Sequence, residues 1–199
     1  MPPHPESARR CRLAIEGRAV EGGGFSGMVG GDFRPDATAW AILALRAMGA
    51  SGDRLYPARQ GLAACQAADG SVPIGAAHPG SVWPTPLAVL AWHGAAPFAD
   101  ARAKAVAFLL DSGGVTWERR PDEAEMAVDP RIRGWAWAKG TFSWVEPTAL
   151  AMMALGSEGH SGHERVREAV AVLRDRQVST GGWNVGSTRV FREEQGALP

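Results

Sequence analysis

Arg34-Pro35-Asp36-Ala37-Thr38-Ala39-Trp40 opens an apolar run, and the same phrase returns twice. The other copies are Trp83-Pro84-Thr85-Pro86-Leu87 and Trp144-Val145-Glu146-Pro147-Thr148-Ala149-Leu150. Each threonine precedes a stretch that is hydrophobic on every side: Ala39 to Leu45, Leu87 to Trp92 and Ala149 to Leu155. A helix that is apolar all round is a buried helix. Proline is tolerated in the first turn of a helix, so Pro86 fits. Asp36 or Thr38 is expected to cap the first of these helices, because a short side-chain oxygen can accept from an unpaired first-turn N–H. A second signal recurs out of phase. It is a glycine turn at Gly23-Gly24-Phe25, Asp69-Gly70-Ser71, Gly113-Gly114-Val115 and Gly181-Gly182-Trp183. Two interleaved repeats predict an all-α fold, a stacked array of helix pairs.

The pairs can be laid out along the chain. Residues 1–6 read as a disordered start, and Ser7 to Val20 as an amphipathic helix anchored by Leu13 and Ile15. Inner helices are expected at Asp36 to Ala50, Thr85 to His93 and Glu146 to Leu155. Outer helices are expected at Leu55 to Ala67, Ala99 to Leu110 and Arg165 to Gln177, the last with Val166, Val170 and Leu173 on its apolar face. Thr38 and Thr85 stand 47 residues apart, whereas Thr85 and Thr148 stand 63 apart. The excess lies in a long loop over residues 112–145, which carries Asp122, Glu123 and Glu125, then Trp135, Trp137 and Trp144. Long loops inside compact domains are usually functional.

Bulk composition excludes several classes. Twenty-one basic residues balance 21 acidic ones, so no electrostatic footprint for nucleic acid or an anionic membrane is present. Two cysteines, Cys11 and Cys65, make neither a disulfide framework nor a zinc pattern, and a reducing cytoplasm is the expected compartment. No apolar run approaches the roughly 18 residues of a spanning helix. Eight tryptophans against one tyrosine suggest an aromatic-lined cavity or a turn motif built on indole.

Lys104-Ala105-Val106-Ala107-Phe108-Leu109 and Gln177-Val178-Ser179-Thr180-Gly181-Gly182-Trp183 resemble the QW repeat of squalene–hopene cyclases and related terpenoid cyclases. The wider superfamily, with the protein prenyltransferase β subunits, is the α/α toroid. The likeness runs from about Leu13 to Asn184 and is most specific between Arg167 and Trp183. In an earlier copy Gln66 keeps its place before Asp69-Gly70, but the tryptophan is lost. The resemblance implies that Gln66, Gln177, Gly182 and Trp183 are structural and tie an outer helix end to the next turn. It implies an incomplete α/α toroid over residues 7–184, followed by a tail at 185–199. It also implies an isoprenoid cavity lined by the ends of the inner helices, which here map to Asp36, Trp40, His78, Trp83, Trp135, Trp137, Trp144 and Glu146. Aromatic faces stabilise carbocations there. Trp40 and Trp92, set inside apolar helices, read better as core packing, whereas the loop tryptophans read equally as filler between hairpins.

The catalytic signatures of these relatives are missing. Asp-x-Asp-Asp, Asp-Asp-x-x-Asp and the Asp-x-Cys zinc ligand pair do not occur, and no metal or cofactor is expected. His160 and His163 read as a solvated loop pair. Asp36 and Glu146 hold equivalent places in two repeats and are the candidate acids, because an acid buried among tryptophans has its pKa raised. Both also fit as first-turn partners of the helix dipole. Three outer–inner pairs and one further outer helix leave the array open, and three explanations compete: the chain is a fragment, it self-associates to close the ring, or a partner protein supplies the remaining helices. The reading is a protein that binds or processes an isoprenoid or other apolar small molecule. The alternative is a non-catalytic helical-repeat interaction module.

Overall fold

The computed structural model describes residues 5–119, 128–179 and 181–183. Among them the chain is all-α. The helices are α1 (Pro5–Glu16), α2 (Pro35–Ala47), α3 (Gly52–Ala64), α4 (Pro84–Trp92), α5 (Ala99–Asp111), α6 (Val145–Ser157) and α7 (Glu164–Asp175), with a 3-10 turn at Ala96–Phe98. Helix α1 begins two residues before the expected start at Ser7 and ends before Val20. Residues 1–4, the acidic patch Asp122, Glu123 and Glu125, and the tail at 185–199 lie outside the described residues. The chain divides into two compact units, residues 1–108 and 109–199. In the first, α2 packs on α3 and α4; in the second, α6 packs on α7.

The threonine of each phrase explains the repeat. Thr38, Thr85 and Thr148 are fully buried. Thr38 Oγ1 accepts from the Phe25 backbone N–H at 2.9 Å and donates to the Phe25 carbonyl at 3.1 Å. Thr148 Oγ1 accepts from the Trp135 N–H at 3.0 Å and lies 3.3 Å from the Trp135 carbonyl. Thr85 Oγ1 accepts from the Val72 N–H at 2.9 Å and donates to the Val82 carbonyl at 2.7 Å. In every copy the clamped residue stands 13 positions before the threonine. A buried backbone amide must find a partner, and the hydroxyl supplies one while fixing the preceding turn to the helix.

This geometry corrects the expected caps. Helix α2 starts at Pro35 with Arg34 at its cap, and no side chain bonds its first turn. Thr38 is occupied by Phe25, and both oxygens of Asp36 are taken by Arg34, at 3.0 and 2.7 Å. That contact raises the Arg34 pKa against the lowering effect of burial, and the opposite charge of Asp36 adds to the rise.

Three of the glycine turns are also equivalent. The N–H groups of Val20, Ala67 and Val178 donate to the carbonyls of Gly24, Ser71 and Gly182, and those of Gly23, Gly70 and Gly181 donate back to Val20, Ala67 and Val178. Gly70 has φ +88, and a Cβ there would lie 2.3 Å from the Lys104 carbonyl oxygen, so only glycine lets the turn abut α5. The third copy differs from the expected register. The residue clamped by Thr148 is Trp135, so its turn glycine is Gly134, not Gly114. A Cβ on Gly134 would lie 2.5 Å from Thr148 Oγ1. Gly114 instead donates its N–H to the Gly134 carbonyl at 3.0 Å. The extra residues of this repeat therefore enter between Gly114 and Gly134, and the clamp spacing is untouched.

Helix α4 has nine residues, short for a helix standing alone, and eight of them are buried. Its C-terminal carbonyls are met by arginines. Arg46 reaches Leu90 and His93, each at 3.2 Å; Arg59 reaches Ala91 at 2.8 Å and Arg102 reaches Trp92 at 3.0 Å. Cations at a helix C-terminus complete its unpaired acceptors and oppose its dipole. Arg59 is itself buried, and desolvation, helped by the Arg46 charge, lowers its pKa. The Trp92 indole N–H closes the unit by donating to the Arg59 carbonyl at 3.1 Å.

Thr85→Val keeps the shape of the side chain and removes the hydroxyl, which leaves the buried Val72 N–H unpaired. The expected loss is roughly 1–3 kcal/mol, read as a lowered midpoint in urea denaturation; an unchanged midpoint would show that the clamp bond carries no stability.

Candidate functional site

Helices α2 and α6 are not apolar helices buried on all sides. Trp40 is 48% exposed and Met153 61% exposed. Aligned on their threonines, Trp40, Leu87 and Leu150 are equivalent positions, two residues beyond the clamp. Leu87 is 0% and Leu150 7% exposed. The packing role favoured for Trp40 by its apolar setting does not hold, whereas Trp92 is fully buried. Trp40 is tryptophan where its counterparts are leucine, and it faces open space where they face protein.

That open space is a hollow of about 380 Å3 in the first unit. Trp40 forms one wall, and Ala37, Ala41 and Ala44, on the same stripe of α2, form its floor. Small residues at these positions leave room beside the indole. Ile15 and Phe25 close the apolar wall. Leu13, the other expected anchor of α1, is 57% exposed and takes no part. The polar lining is Ser26 and Arg18. Phe25 is held in place by the Thr38 clamp, so the repeat's own device builds this wall. The Ser26 N–H donates to the Arg18 carbonyl at 2.9 Å, and the Arg18 N–H donates to the Ile15 carbonyl at 2.9 Å. The buried Ser26 hydroxyl lies against the carbonyls of Arg18 and Met28.

The remaining sequence candidates are dispersed. Asp36 is buried and paired with Arg34. Glu146 is exposed in the first turn of α6, so it is not an acid enclosed by tryptophans. His78 is exposed in the loop before α4, and Trp83 is half-buried at the α4 cap. Trp137 is half-buried, and Trp144 is half-buried with its ring 4.5 Å from that of Phe142. Trp135 is 4% exposed, donates its indole N–H to the Leu109 carbonyl at 3.0 Å and lies under the Arg165 guanidinium at 4.4 Å. It is a packing residue of the second unit. Gln66 donates to the carbonyls of Gly70 at 3.0 Å and Ala101 at 2.8 Å, joining the end of α3 to the turn and to α5. Gln177 pairs with Trp183 through the backbone around Gly182, and the Trp183 indole donates to Leu173 at 2.6 Å.

Sequence reading missed the buried arginines. Arg165 is 2% exposed; its guanidinium meets the carbonyls of Ser112 at 2.9 Å and Gly134 at 3.3 Å, and pairs with Glu168. Burial lowers its pKa against the raising effect of Glu168. The buried face of α7 accordingly runs through Arg165, Val166, Ala169 and Val172 rather than along the expected Val166, Val170 and Leu173. Arg176 is buried beside Asp175, and desolvation lowers its pKa too. At the end of the insertion, Arg131 bonds both oxygens of Asp129, at 3.0 and 2.9 Å, and lowers the Asp129 pKa to about 2. Among the described residues no group of three or more His, Cys, Asp or Glu side chains could hold a metal ion. No helix among them is long and apolar enough to cross a membrane.

Compared with known protein families and with curated protein sequences, the chain matches none.

Trp135→Ala removes a fully packed indole and uncovers a buried guanidinium. The expected cost is about 3–5 kcal/mol, measured by chemical denaturation. A cost below about 1 kcal/mol would place Trp135 outside the core.

Proposed function

We propose that this helical-repeat protein binds an isoprenoid or other apolar small molecule in the hollow beside Trp40. The observation that carries the reading is the 48% exposure of Trp40 at a position that is buried leucine in both other repeats. An exposed indole over a stripe of alanines is a concave apolar surface, and a volume of about 380 Å3 lies in the range of small-molecule sites, which begins at roughly 300 Å3. The resemblance to terpenoid cyclases supports the isoprenoid as ligand class. Binding rather than cyclisation is the function proposed. Asp36 is committed to Arg34 and Glu146 is exposed, and neither lines the hollow.

A second reading rests on the same equivalence. Leucines at this place in the other repeats are covered by protein, so a helical hairpin of a second copy could cover Trp40. Native mass spectrometry separates the two. A monomer carrying a ligand-sized added mass supports the first reading, and a ligand-free dimer supports the second.

The direct test uses geraniol, a neutral ten-carbon isoprenoid alcohol, titrated by calorimetry. Saturable binding is expected for the native chain, and Trp40→Ala is expected to abolish it while far-ultraviolet circular dichroism stays unchanged. Equal binding by Trp40→Ala, or none by the native chain, overturns the reading.

A further inference from the structure

The hollow beside Trp40 carries one ionisable group, and its surroundings leave that group uncommitted. Of the residues that line it, only Arg18 is charged. Arg18 is exposed, and its guanidinium makes no hydrogen bond or ion pair among the described residues. Two charges close to it in the chain or in the loop that follows are engaged elsewhere. Glu16 pairs with Arg54, and Arg34 pairs with Asp36. The backbone of Arg18 is fixed on both sides, through Ile15 and through Ser26, so the side chain leaves from a defined point at the edge of an apolar pocket. A free guanidinium beside an apolar wall complements a molecule with a hydrocarbon body and an anionic end, because its planar fork matches a carboxylate with two charge-assisted hydrogen bonds.

We infer that the ligand of this hollow is an apolar carboxylate, its hydrocarbon against Trp40 and the alanines of α2 and its carboxylate on Arg18. The inference rests on the proposal that the hollow is a binding site, and it adds the charge of the occupant. Trp40 gives affinity, and Arg18 gives selectivity for the ionised end group.

A matched pair of probes tests it. Geranic acid, ionised at neutral pH, and geraniol share a ten-carbon skeleton and differ in the end group. Calorimetry at low ionic strength is expected to give geranate an affinity about tenfold or more above geraniol, the range of a charge-assisted hydrogen bond. Arg18→Gln is expected to erase that preference, and Arg18→Lys to keep part of it. Arg18 is exposed, so these variants fold, and circular dichroism checks that they do. Equal affinities for the two probes in the native chain, or a preference that survives Arg18→Gln, overturn the inference while the binding site stands. Binding of neither probe overturns both the inference and the binding reading.

Discussion

A threonine hydroxyl that holds the backbone of a residue 13 positions earlier is the constraint from which the rest of this structure follows. It is made three times, by Thr38, Thr85 and Thr148, each fully buried. The bond does two jobs. It satisfies an amide that the fold takes out of water, and it sets the distance between a glycine turn and the helix that follows. In the third repeat the clamp also demands glycine at the turn, because a Cβ on Gly134 would lie 2.5 Å from Thr148 Oγ1. The insertion of the third repeat lies outside the clamped interval, between Gly114 and Gly134. The loop can grow there without disturbing how the turn meets α6.

The hollow beside Trp40 is a consequence of the same arrangement. The clamp fixes Phe25, and Phe25 walls the hollow with Ile15 and Trp40. The small stripe Ala37, Ala41 and Ala44 keeps it open. In the other repeats the position of Trp40 holds leucine, and protein covers it. A single change of residue at one repeat position therefore marks the place where the first unit turns an interior surface outward.

Much of the fold was legible in the sequence. The recurring proline–threonine phrase and the apolar runs after it placed α2, α4 and α6 within three residues of their ends, and the stop at Asp69-Gly70 limited α3. The partner of each threonine was not legible. A hydroxyl in a first turn looks like a cap for its own helix, and only tertiary packing turns it toward a loop. For the same reason Gly113-Gly114 was read as the third turn: it has the right residues, but Gly134 has the right spacing to Thr148. Burial of Arg59, Arg165 and Arg176 was hidden because arginine on an amphipathic helix ordinarily faces water, and here carbonyls at helix ends receive it. The site was only partly legible. Trp40 was among its candidate residues, but its exposure is set by tertiary packing, which an apolar run does not reveal. Arg18 carried no motif at all; what singles it out is that it is the one charged residue lining the hollow, with no side-chain partner among the described residues.

Native-state amide hydrogen exchange tests the clamp most directly, residue by residue. The N–H groups of Phe25, Val72 and Trp135 sit in loops, where exchange is ordinarily fast. The threonine clamp predicts that all three are protected to about the level of the core amides of α2, α4 and α6, and that Thr38→Val, Thr85→Val and Thr148→Val each release the amide 13 residues before it. Loop-like exchange at these three amides in the native chain would contradict the clamp as the device that builds the repeat.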